Sequence, residues 1–116
     1  MPNTTMSISY YAVPVRDASL VGGIVEESDT SRPIDQAAVR DAVRKRCSVS
    51  GGDSGTLKWE SGNDYVFVDV LPTHVLVTHN AGRGSYQVEV VMEVLHTLSR
   101  FGLHVYDPQR GDWFPS

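Results

Sequence analysis

The sequence predicts an α+β domain of order β-α-β-β-β-α-β: a mainly antiparallel sheet with two helices packed on one face. Three observations predict it. Two stretches, 34–47 and 85–101, carry apolar residues at helical spacing. Other runs are short, rich in Val, Tyr, Ile and Thr, and alternate between apolar and polar positions. The three central runs are separated by only a few turn residues, so they pair antiparallel as a meander. A chain of 116 residues fits one ordinary core. At that size it buries roughly two thirds of the surface its unfolded chain exposes, enough to fold without disulfides or metal.

Ser7 to Val15 reads as a strand, with Pro14 marking an edge or a strand end. Residues 16–33 read as an irregular connection. Its Leu20-Val-Gly-Gly-Ile-Val25 run could be a strand, and its paired glycines disfavour a helix. The first helix takes Thr30 or Ser31 as its cap, Pro33 in its first turn, and Asp35 against its positive end. Ile34, Ala38, Val39, Ala42, Val43 and Cys47 form its apolar stripe, and Arg40, Arg44 and Lys45 face away. Residues 48–55 read as a flexible loop. The meander runs through Thr56–Glu60, Tyr65–Leu71 and Thr73–His79. The second helix runs from Ser85 to Arg100, with Val88, Val91, Val94, Leu95, Leu98 and Phe101 inward and Gln87, Glu89, Glu93, His96 and Arg100 outward. Gly102 stops it, and Leu103-His-Val-Tyr106 returns as the last strand.

Composition narrows the function classes. The 41% hydrophobic and 21% charged content is that of a soluble globular chain. No apolar run is long enough to span a membrane, and the N-terminal residues lack the basic and apolar regions of a secretory signal. One cysteine excludes an internal disulfide, and the cytoplasm is the expected compartment. The net charge of −4 lies wholly in residues 59–116, which carry seven acids against three bases. An acidic half disfavours nucleic acid and favours a basic partner.

Alternation divides the strands into two faces. Leu57, Trp59, Val66, Val68, Val70, Val75, Val77, Leu103 and Val105 should meet the helices, with Val75, Val77, Leu95, Leu98 and Val105 packed together. The opposite set is Thr56, Lys58, Glu60, Tyr65, Phe67, Asp69, His74, Leu76, Thr78, His104 and Tyr106. It lies on the face without helices, and its mixture of aromatics, acids and histidines is that of a recognition surface. Against this stands the ordinary preference of Tyr, Phe and Thr for strands whose outer face is wet. Glu60, Tyr65, Phe67, Asp69, His74, Leu76, His104 and Tyr106 are the candidate partner-binding residues.

No catalytic, cofactor or metal site is expected. His74 and His79 are five apart on one strand and point to opposite faces. Cys47 ends a helix, where no positive dipole lowers a thiol pKa, so it reads as buried and inert. Gly82-Arg-Gly-Ser85 has the parts of an anion site, yet a turn followed by a cap accounts for it equally and no phosphate-loop motif is present. Glu89 and Glu93 share a solvated helix face and repel rather than forming an acid–base pair.

A helix ending in Phe101-Gly102, followed by Leu103-His-Val-Tyr-Asp-Pro-Gln109, resembles the C-terminal end of small bacterial immunity proteins of contact-dependent inhibition and polymorphic toxin systems. Tyr11-Ala-Val-Pro-Val15 adds a weaker likeness. The resemblance covers about the last third of the chain and carries over no binding residue. It implies a cytoplasmic protein that binds and neutralises a cognate toxin domain, such as a nuclease, without cofactor, nucleic acid or membrane. Two alternatives stand beside it. One is a homodimeric binding module using the same face; the other is a small ligand-binding domain or enzyme using His74, His104 and Tyr106.

Overall fold

The computed structural model describes residues 7–14, 34–51, 56–80 and 85–114. In chain order the elements are β1 (Ser7–Val13), α1 (Gln36–Arg46), β2 (Ser50–Gly51), β3 (Thr56–Ser61), β4 (Asp64–Val70), β5 (Val75–Asn80), α2 (Ser85–Arg100), β6 (His104–Asp107) and β7 (Asp112–Phe114). The fold is α+β, as expected, and the meander and α2 are where the sequence placed them, while α1 starts later. The strands form one 7-stranded sheet in the order β2-β3-β4-β5-β1-β6-β7, every pair antiparallel. β1 is inserted between β5 and β6, so the first strand lies near the middle of the sheet and not at an edge.

Two strands are additions to the expected order. Ser50–Gly51, read as loop, pairs with Lys58 and Leu57 of β3. Asp112–Phe114 hairpins back onto β6, with Asp107 facing Asp112 and Tyr106 facing Trp113. The connecting turn closes through the N–H groups of Arg110 and Gly111, which donate to the Asp107 carbonyl at 3.3 and 2.8 Å.

α1 differs from expectation at its start, and α2 in its buried face. Asp35 is the N-cap of α1: its carboxylate accepts from the Ala38 N–H at 3.1 Å. The helix therefore begins at Gln36, later than the expected cap at Thr30 or Ser31; those two residues and Pro33 lie outside the described residues. Ile34, expected in the helix, precedes it, packs against the core and donates its N–H to the Pro72 carbonyl at 2.8 Å. Arg44, Lys45 and Arg46 occupy the last turn, where cations complement the helix dipole.

α2 is turned relative to the expected stripe. Gln87, Val90, Val91, Val94, Leu95, Thr97 and Leu98 are buried, whereas Val88 and Phe101, expected inside, are exposed. Gln87 is buried because its amide has partners: it donates to the Tyr65 carbonyl at 3.0 Å and to Asn80 Oδ1. The helix ends as expected at Gly102, whose φ of +87° suits glycine. The N–H of Gly102 reaches Ser99 and that of Leu103 reaches Leu98, the paired bonds of a Schellman stop.

The core lies between the sheet and the helices. Leu57, Val66, Val68, Val70, Val75, Val77 and Val105 meet Val39 and Val43 of α1 and Val90, Val91, Val94, Leu95 and Leu98 of α2. Trp59 and Tyr10 pack at its margin. β-Branched side chains are stiff and suit strands, but they weaken a helix, so packing is what holds the valine-rich α2. Cys47 is buried in the same cluster and lies 3.4 Å from the Thr97 hydroxyl, joining α1 to α2. Burial pushes its thiol pKa up, in keeping with an unreactive cysteine. No helix among the described residues is long and apolar enough to cross a membrane.

Candidate functional face

Antiparallel partners share a face, so the register assembles the second face strand by strand. One row crosses six strands: Thr56, Asp69, Leu76, Tyr11, Tyr106 and Trp113. A second row runs Ser50, Lys58, Phe67, Thr78 and Ser9. Glu60 and Tyr65 face each other beyond it, and His104 faces Val13 at the other end. The predicted residues Glu60, Tyr65, Phe67, Asp69, Leu76, His104 and Tyr106 thus do come together on the face opposite the core valines.

The face has two aromatic groups. Tyr65 stacks on Phe67, with centroids 4.6 Å apart and planes at 21°. Forty residues on, Tyr106 meets Trp113 edge to face at 5.0 Å, and His104 approaches the same indole at 6.4 Å. Leu76 and Tyr11 lie between the groups. These rings are half-buried against one another, while Glu60, Lys58 and His104 are exposed. Asp69 is fixed by the Thr56 hydroxyl, which donates to it at 2.6 Å, and Glu60 lies 3.9 Å from Lys58. Charge-assisted bonds of the first kind hold a carboxylate in one orientation.

His74 corrects one expectation. It is 5% exposed, with its ring tilted over Tyr11 at 6.2 Å and Nδ1 3.2 Å from the Thr73 hydroxyl. β5 starts only at Val75, so His74 sits at the strand entrance, packed under its neighbours and not offered to a partner. His79, by contrast, stacks on Tyr10 at 5.8 Å. Tyr10 and Tyr11 lie on opposite faces, so the two histidines are separated by the sheet, as their spacing requires. Among the described residues no group of three or more His, Cys, Asp or Glu could hold a metal ion.

Tyr11, Val13 and Trp113 belong to this face and were not in the expected set. Val13 is 1% exposed, packed by Tyr11, Tyr106 and Trp113 into a small cluster of its own. Alternation in β1 carried the signal for Tyr11, but Tyr10 beside it is equally aromatic, so pattern alone does not choose the face. For Trp113 the signal was the turn Pro108-Gln-Arg-Gly111. Three clefts among the described residues lie elsewhere: one between α2 and the last hairpin, one beside His79, and a shallow one on the outer helix surface around Arg46, His96 and Arg100. None of the three is walled by His74, His104 or Tyr106. The predicted Gly82-Arg-Gly turn and the loop 16–33 lie outside the described residues.

Comparison with protein-family models, with curated proteins and with solved structures finds no match.

Proposed function

We propose that the chain is a protein-binding module that takes its partner on this second sheet face, and that the partner is a toxin domain it neutralises, as an immunity protein does. The observation that carries the binding reading is the row Asp69, Leu76, Tyr11, Tyr106 and Trp113, continuous across neighbouring strands while α1 and α2 pack on the other side. Rigid aromatics lose little entropy on ordering and dominate interface energetics, while fixed acids beside them confer choice of partner and faster encounter. The resemblance of the C-terminal third supports the toxin-directed form, and the net charge of −4 favours a basic partner such as a nuclease.

Co-expression with the protein encoded immediately upstream tests this reading, scored by growth rescue and co-purification. Rescue that is lost in Phe67→Ala and Asp69→Lys supports it; absence of both rescue and co-purification refutes the toxin assignment. Size-exclusion chromatography separates the homodimer alternative. A dimer built on the aromatic row would persist at high salt, because apolar contacts are little screened.

A further inference from the structure

A cleft of about 260 Å³ lies on the helix side of the sheet edge, between α2 and the β6–β7 hairpin. Tyr10, Met92 and Leu95 give it an apolar floor, and Asp107, Arg110 and Asp112 surround its mouth with Trp113. The salt bridges among the described residues are Arg44–Asp41 and Lys58–Glu60. The guanidinium and the two carboxylates therefore share one cleft without pairing with each other. Asp107 and Arg110 both act on the Tyr10 phenol. Burial raises its pKa, the Asp107 charge raises it further and Arg110 opposes.

A second pocket of about 110 Å³ shares Tyr10 and Met92 with the first and continues it toward His79, Gln87, Val88 and Val91. Val88, 57% exposed, stands at its rim and is the more exposed of the two large hydrophobic side chains that are exposed among the described residues. Together the two spaces form an amphipathic groove: charges of both signs at one end, an apolar chamber at the other. Sites for small molecules share this plan of apolar walls with a few oriented polar groups. Engineered apolar cavities of ~150 Å³ hold benzene, so this chamber of about 110 Å³ suits a branched aliphatic group, with a phenyl ring at its upper limit.

We propose that this groove binds a free apolar α-amino acid. Its carboxylate meets Arg110, its ammonium group lies between Asp107 and Asp112 over the face of Tyr10, and its side chain enters the chamber of Met92, Val88 and Val91. A cation over an aromatic face and a guanidinium facing a carboxylate are both favourable pairings. A purely cationic or purely anionic ligand would leave one of the two charge signs unmatched. The site is separate from the partner-binding proposal and stands or falls without it.

An amide NMR titration of the full chain with L-leucine, L-phenylalanine, N-acetyl-L-leucine and L-leucinamide tests the proposal. The two free amino acids should shift the amides of Tyr10, Met92 and Asp112 together. Blocking either end should weaken binding by about tenfold, the value of one charge-assisted hydrogen bond. Arg110→Ala should lose the preference for a free carboxylate, and Asp112→Asn the preference for a free ammonium group; both residues are exposed. No shift at about 10 mM free amino acid, a range reaching the weakest small-molecule affinities, would overturn the proposal. So would equal binding of free and blocked compounds, a comparison on the wild-type chain that needs no variant to fold.

Discussion

Asn80 closes β5, and its side chain ties three parts of the fold together. Its Oδ1 accepts from the Tyr65 N–H at 3.1 Å and from the Gln87 amide, and its Nδ2 donates to the Asn63 carbonyl at 2.9 Å. One side chain thus anchors the β3–β4 turn, the first residue pair of β4 and the start of the buried face of α2. Asn80 is 4% exposed and Gln87 1%, so water cannot readily replace the lost partner. Asn80→Ala removes three hydrogen bonds, each worth about 1 kcal/mol net. It leaves Gln87 with only its bond to the Tyr65 carbonyl. The expected loss is about 3 kcal/mol. For a domain of this size that is a fall in Tm of roughly 10 °C. Urea titration followed by tryptophan fluorescence measures it directly, with Thr78→Ala, a half-exposed neighbour on the same strand, as control. A change within about 0.5 kcal/mol of wild type, the scatter of neutral surface substitutions, would refute the network's role. A larger loss in Thr78→Ala would refute it equally.

Other expectations follow from the same geometry. Leu57→Ala, at a fully buried core position, should destabilise by about 2–5 kcal/mol in the same titration. Gly102→Ala should cost about 1 kcal/mol, because φ is +87° there while nothing crowds an added methyl group. Stability should decline in alkali through Cys47. Its folded pKa is raised, so above the ordinary thiol value of about 8.5 the unfolded chain loses its proton first and gains in relative stability as pH rises. Cys47→Ala should flatten that alkaline limb of a pH–stability profile, though Tyr10, also raised, will contribute at higher pH. Phe67→Ala and Asp69→Lys should each weaken a face-bound partner by about tenfold or more in a binding titration, with circular dichroism unchanged.

The sheet was legible because its code is strict. Val66, Val68, Val70, Val75 and Val77 repeat at period two, and only one face of a strand can carry such a set inward. The helix faces were less so. Gln87 was read as outward because it is polar, and Val88 as inward because it is apolar; a hydrogen-bonded amide network reversed both. Cap position failed for a related reason: Thr30, Ser31 and Asp35 are all good caps, and only the bond from Ala38 chooses among them. On the candidate face, seven of eight expected residues share a surface because register follows from alternation. The eighth, His74, is buried, and one of its contacts is with Tyr11, from a strand sixty residues earlier in the chain. No local pattern encodes that contact, since β1 enters the sheet between β5 and β6. Trp113 was missed because β7 is 3 residues long, too short to show a period.

Under the proposed function, a protein partner docks on the face carrying Phe67, Asp69, Leu76, Tyr11, Tyr106 and Trp113. Cross-saturation NMR tests it most directly, with the labelled chain bound to its unlabelled co-purifying partner. Attenuation should concentrate on the amides of Phe67, Leu76, Tyr106 and Trp113 and spare those of Arg44, Glu89 and His96. Attenuation confined to α1 and α2, with the sheet face untouched, would contradict the account.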